Sequence, residues 1–176
     1  HEDVRRGEFD DSKEAHVNMM DFRFGDTESW FKDAFDLVRR FLREGGYRLY
    51  PSEISLPLEV SKKTTPTIKH CWNNLGWGYC PTNIPQWNQK YKVAFALLDS
   101  ETNEVRYTFV DTNTDLSKWI KGSPAEYVFE PDMSKVETGT YVWAVGLVDL
   151  IGLDIAAKGD ILDSGWLKLS KVSIKK

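Results

Sequence analysis

Histidine and cysteine are scarce in this 176-residue chain: His1, His16 and His70 on one side, Cys71 and Cys80 on the other. With ligands so few and so scattered, and no H-x-x-x-H, C-x-x-C or G-x-S-x-G spacing, neither a structural zinc site nor a nucleophilic triad has support. Long apolar runs are missing too: no stretch approaches the ~18 residues of a membrane-spanning helix, and no basic-then-apolar leader is present. Positive charge is not in excess, because 23 Lys and Arg face 27 Asp and Glu, a formal net charge of -4 with both signs scattered. No basic face is available to neutralise phosphates or anionic headgroups, so neither nucleic acid nor a membrane surface is an expected partner. The chain opens on His1 instead of Met and is expected to be a processed or excised piece whose own ends do not report export.

What the chain does have is aromatic side chains. They make up 13% of residues, and several of the seven Trp sit in polar, Gly/Pro/Asn-rich stretches that core packing alone explains badly. The length suffices for one well-buried core plus a short appendage.

Residues 1–15 are almost wholly polar with a single Phe9, and are expected to form a loop or disordered lead. His16 to Phe22 reads as a short strand. From Trp30, apolar residues at Phe31, Ala34, Phe35, Leu37, Val38, Phe41 and Leu42 recur at helical spacing. Asp26 or Thr27 caps that helix, Arg39, Arg40 and Arg43 suit its negative end, and Gly45-Gly46 stops it.

Beyond Tyr47 the apolar period falls from 3.6 to 2. Ile54, Leu56, Leu58 and Val60 alternate with polar residues or proline, then Ile68, His70 and Trp72, then Tyr91, Val93, Phe95 and Leu97. Asp99 to Asn103 turns the chain into Val105, Tyr107 and Phe109, the clearest hairpin. Tyr127 and Phe129, then Tyr141, Trp143, Val145 and Leu147, and finally Leu167, Leu169, Val172 and Ile174 complete the set. The fold class expected is mainly β, an antiparallel β-sandwich of about seven to eight strands preceded by one α-helix. The boundary falls between an N-terminal part, residues 1–50, and the sandwich, residues 51–176.

Trp72 to Gln89, WNNLGWGYCPTNIPQWNQ, is the densest feature. Flat rings beside amides match sugars, which present apolar C–H faces and equatorial hydroxyls. The candidate carbohydrate-binding residues are Trp72, Asn74, Trp77, Tyr79, Trp87, Asn88, Gln89 and Trp119, with Trp72 the one that fits a core position. The competing reading is structural: Asn-Asn-Leu-Gly is a turn, and the rings cover the sandwich end. Cys71 and Cys80 flank this loop, either bridged or as two ordinary half-buried thiols.

Asp111 to Trp119 is an oxygen-rich loop that suits Ca²⁺ by ligand type, but Gly122 occupies the twelfth position and breaks the helix-loop-helix pattern. A solvated turn with Trp119 folded over it is the stronger expectation, so no cofactor is expected beyond a structural calcium ion at that loop. Asp149, Asp154, Asp160 and Asp163 lie around the last long loop as candidates for sugar hydrogen bonds or an ion site, the competing reading being ordinary solvated loop charges. No carboxylate pair sits in a recognisable strand-end context for glycoside hydrolysis.

A set of short motifs carries a resemblance. Gly46-Tyr47-Arg48-Leu49 follows a helix; Trp72-Asn73-Asn74-Leu75-Gly76 precedes Pro81; Ala94 to Asp99 is a strand; then come Asp111, Trp119 with Gly122, Gly139-Thr140-Tyr141 and Gly146-Leu147-Val148-Asp149. From Phe35 onward the chain resembles the C-terminal part of a family of uncharacterised bacterial proteins built as a glycosidase-like barrel followed by a β-sandwich. The resemblance implies that residues 16–45 correspond to the last strand and helix of a barrel whose seven preceding units are missing, and with them the upstream catalytic carboxylates.

Three functions compete on this reading. The first is non-catalytic binding of polysaccharide or oligosaccharide through exposed Trp and Tyr, targeting a parent glycoside hydrolase domain in cis. The second is a structural sandwich contacting that barrel through Trp30, Phe31 and the helix face, and the third, least supported, is a catalytic glycoside hydrolase domain. An extracellular, periplasmic or cell-surface location goes with the first two.

Overall fold

The computed structural model describes residues 2–23, 27–150 and 165–176. Helix α1 (Glu2–Glu14) comes first, then a π-helical turn (Ser29–Asp33) and helix α2 (Phe35–Glu44). Eight strands follow: β1 (Leu49–Ser55), β2 (Glu59–Ser61), β3 (Ile68–Asn74), β4 (Tyr91–Asp99), β5 (Val105–Asp111), β6 (Ala125–Phe129), β7 (Gly139–Asp149) and β8 (Leu167–Lys175). They make a three-stranded sheet, β1-β3-β6, packed on a five-stranded one, β2-β8-β7-β4-β5. The protein is a mainly β sandwich, antiparallel except where β2 pairs parallel to β8.

The alternating residues read from the sequence fill the space between the sheets. Ile68 and Trp72 of β3 face Val93, Phe95 and Leu97 of β4 and Trp143 and Val145 of β7, all buried. Phe95 stacks on Phe129 with ring centroids 6.0 Å apart, and the Trp143 indole N–H donates to the Pro57 carbonyl at 3.1 Å. The five-stranded sheet is apolar on its other face as well. Ala94, Ala96, Leu98, Val142, Ala144 and Val148 form a second buried cluster with Trp166, so β4 and β7 read as continuous apolar runs.

Four expectations need correction. Residues 2–14 are helical because Phe9, fully buried, anchors them: its ring meets Trp77 edge-on at 5.0 Å, with the Arg40 guanidinium 5.3 Å from its centroid. The stretch 16–22 is irregular and not a strand, since its polar groups bond to a distant loop. The helix expected from Trp30 is broken at Ala34 (φ -136, ψ 34), whose N–H reaches back to the Ser29 carbonyl at 3.1 Å. No side chain caps the restart at Phe35, and Asp26 lies outside the described residues. Finally, Ile54 to Val60 is two strands in different sheets, because the chain crosses at Leu56 to Leu58.

Candidate functional site

The Trp72 to Gln89 segment leaves β3 at the end of the sandwich next to the helices. Asn74 organises it. Its side-chain N–H groups donate to the carbonyls of Gly78 (2.7 Å) and Trp119 (3.0 Å), and its Oδ1 accepts from the N–H groups of Arg48 (3.0 Å) and Gly76 (3.0 Å). Every donor and two acceptor positions of this buried amide are used internally. Trp72 and Trp119 stack 5.0 Å apart at 18° beneath it, and both are fully buried.

The following turn docks onto the helices. Trp77 is 3% exposed, set between Phe9 and Phe41, and its indole N–H donates to the Val17 carbonyl at 3.0 Å. The Trp77 carbonyl lies 2.7 Å from His16 Nδ1, and the Asn18 amide donates to the Tyr79 carbonyl at 2.9 Å. Glycine is required here by close approach: a Cβ on Gly76 would fall 2.0 Å from the Gly46 carbonyl oxygen. The aromatic loop is thus a joint between the helical layer and the sandwich.

Four of the eight candidate residues, Trp72, Asn74, Trp77 and Trp119, are therefore buried and offer no face to a sugar. The expectation that Trp77 and Trp119 are exposed platforms is corrected, and Trp72 is a core residue. Tyr79, Trp87 and Gln89 are half-buried and Asn88 is exposed. Trp87 meets Tyr91 edge-on at 5.4 Å, while the Lys90 ammonium sits 5.7 Å from the Trp87 centroid and pairs with Asp149 at 3.0 Å. Asn88 (φ 41) and Gln89 (φ 59) take left-handed backbone, and the Gln89 Oε1 accepts from Thr82 at 3.2 Å. Asp154, Asp160 and Asp163 lie outside the described residues.

Cys71 and Cys80 are free thiols. Cys71 lies on the outer face of the three-stranded sheet, where it lines an open groove with Glu53, Lys69 and Glu126, whereas Cys80 is buried. Burial pushes the Cys80 thiol up to about 11, with a hydrogen bond from Tyr47 opposing. Burial also raises the Tyr47 phenol to about 12, reinforced by Cys80.

The Asp111 loop spends its oxygens on its own chain. Asp111 Oδ1 accepts from the Asn113 N–H at 3.0 Å, and Asp115 Oδ1 accepts from the Ser117 N–H and hydroxyl at 3.1 and 2.6 Å. Asp111 is fully buried, not solvated, with Oδ2 3.0 Å from His70 Nε2. Trp72 Nε1 donates to His70 Nδ1 at 2.8 Å. An indole nitrogen can only donate, so the imidazole proton sits on Nε2 and is given to Asp111. This His-Asp pair ties β3 to β5 inside the sandwich, both side chains buried. Among the described residues no group of three or more His, Cys, Asp or Glu is arranged to hold a metal ion.

No protein-family model and no curated protein matches the chain. Among solved structures it is similar to the CARDB domain of a Pyrococcus furiosus protein in complex with di-metal ions, at 13% identity and TM-score 0.38, over 73% of this chain and 88% of that one. A solution structure of that domain gives 14% and 0.40, over 73% and 95%. A β-glucosidase from Listeria innocua in complex with glucose gives 14% and 0.37, over 74% of this chain but 16% of the glucosidase. These likenesses accompany a two-sheet sandwich and assign the chain to no family.

Proposed function

We propose that this chain is a non-catalytic accessory β-sandwich of an exported carbohydrate-active protein, and that its helical layer is the docking side for a catalytic glycoside hydrolase domain carried in cis. The observation that carries this reading is the use of the aromatic loop: Asn74, Trp77 and the paired Gly76 and Gly78 are committed to holding the helices against the sandwich. A second observation supports it. Phe31, Phe35 and Leu42 leave 48%, 47% and 69% of their surface exposed on the outside of that layer, with the two Phe rings 6.0 Å apart, and clustered exposed apolar side chains mark a contact surface. The test is hydrogen exchange on the full-length gene product beside the isolated chain. Slower exchange of the 29–44 amides in the full-length product is the expected result, and equal exchange in both refutes docking.

Polysaccharide binding at the loop itself is the second reading, favoured by the half-exposed Trp87 next to exposed Asn88, with Tyr79 and Gln89 nearby. Affinity electrophoresis in polysaccharide gels, wild type beside Trp87→Ala, decides it. Retention abolished by that substitution supports it, and retention unaffected removes it.

A further inference from the structure

The opposite end of the sandwich carries a cleft of about 460 Å³ where the end of β4, the start of β5 and the start of β7 meet, lined by Asp99, Arg106, Tyr107, Glu137, Thr140 and Tyr141. The nine-residue strand β4, about 27 Å long, runs from Tyr91 beside Trp87 to Asp99 at this cleft. A partner docked on the helices leaves it open.

Its two rings are fixed in place. Tyr107 and Tyr141 pack edge-on with centroids 5.9 Å apart. The Tyr141 hydroxyl donates to the Glu137 carbonyl at 3.1 Å, and the Glu137 N–H donates to the Tyr107 hydroxyl at 3.2 Å, so the backbone of one residue pins both phenols. Ring surface held this way costs little conformational entropy when a ligand covers it.

Around the rings stand groups of complementary hydrogen-bonding sense. Asp99 accepts from the N–H groups of Glu101 (2.9 Å) and Thr102 (3.0 Å) and from Arg106 (3.1 Å). Those bonds hold its carboxyl down to about 2, so at neutral pH it is a hydrogen-bond acceptor. Arg106 donates from one nitrogen to Asp99, and its side chain is 53% exposed. The Glu137 carboxylate accepts no hydrogen bond among the described residues, and Glu137 and Thr140 are both exposed. Rigid ring edges, a free carboxylate, a guanidinium and a hydroxyl together suit a ring that is apolar on its face and hydroxylated at its rim. Two carboxylates against one guanidinium leave the cleft negative, which disfavours acidic ligands.

We propose that this cleft binds a neutral oligosaccharide, the sugar ring lying against Tyr107 and Tyr141 while its hydroxyls donate to Glu137 and accept from Arg106. The test is affinity electrophoresis of the full chain in gels holding β-glucan, xylan or galactomannan, with polygalacturonate as the anionic control. The variants are Glu137→Gln, Arg106→Ala and Tyr141→Phe beside Trp87→Ala. The expected result is retention on at least one neutral glycan, weakened about tenfold by Glu137→Gln and by Arg106→Ala, the loss of one charge-assisted hydrogen bond each, and unchanged by Trp87→Ala. Glu137 is exposed, so its replacement keeps the fold and tests the site even if Arg106→Ala loosens the hairpin. Retention on no neutral glycan, retention by polygalacturonate alone, or retention indifferent to Glu137→Gln overturns the proposal. Because the docking reading is tested by hydrogen exchange at 29–44, either can fail without the other.

Discussion

Replacing Asn74 separates a structural joint from a binding surface. Asn74→Ala removes an amide that satisfies two buried carbonyls and two backbone N–H groups. Each orphaned group costs about 1 kcal/mol at the low end of the usual range, so the sum is roughly 4 kcal/mol. For a domain of this length that corresponds to a fall in Tm of roughly 8–16 °C. Asn74→Asp keeps the shape but turns both donors into an oxygen facing the carbonyls of Gly78 and Trp119, and is expected to cost at least as much. Urea denaturation followed by tryptophan fluorescence and far-UV circular dichroism measures both variants. Coincident transitions with an unchanged slope and a lower midpoint are the expected outcome. A loss below about 1 kcal/mol in both variants would refute the reasoning, because three buried partners and a part-buried one cannot be orphaned so cheaply.

Two further outcomes follow from groups described above. Asp99 has its folded-state carboxyl held near 2 against an ordinary value of 3.8, so its contribution is present above pH ~4 and is lost as pH falls toward 2. Urea midpoints measured from pH 4.5 to 2 should decline more steeply for wild type than for Asp99→Asn, and parallel curves would show that the carboxylate is not what holds the hairpin. Native protein at pH 8 should react with a thiol reagent such as DTNB at Cys71 alone, with Cys80 reacting after unfolding, and a mass showing a bridge would contradict both thiol assignments.

The sandwich was legible because burial on one face imposes a period of 2, and Ile68-His70-Trp72, Tyr91 to Leu97 and Tyr141 to Leu147 all keep it. The second apolar face of β4 and β7 was not, because Ala94, Ala96 and Ala144 are small enough to pass for spacers between larger inward residues. Helix α1 escaped notice for a related reason: one buried ring, Phe9, does the anchoring, and a single position has no period. The aromatic loop was found by composition, yet composition does not say which way a ring faces. What turns Trp77 and Asn74 inward is backbone carbonyls at Val17 and Trp119, 60 and 45 positions away, and carbonyls carry no residue-specific signature. Tyr107 and Tyr141 were visible as strand residues, but nothing local announces that two strand ends meet at one cleft.

The parallel pairing of β2 with β8 bears on how the chain comes together. Glu59, Val60 and Ser61 pair with Ser173, Ile174 and Lys175, and Glu59 and Lys175 are further joined by an ion pair of 2.7 Å across a separation of 116 positions. Among the described residues no nearer strand supplies β2 with backbone partners, so during synthesis it stays an unprotected edge until β8 has emerged. The three residues that reach this pairing are few and include a charge, which keeps the waiting edge short and poorly suited to capture by a neighbouring chain. Closure of the five-stranded sheet is therefore a late event governed by loop entropy, and the β4-β5 hairpin with β7 is the assembly onto which it closes.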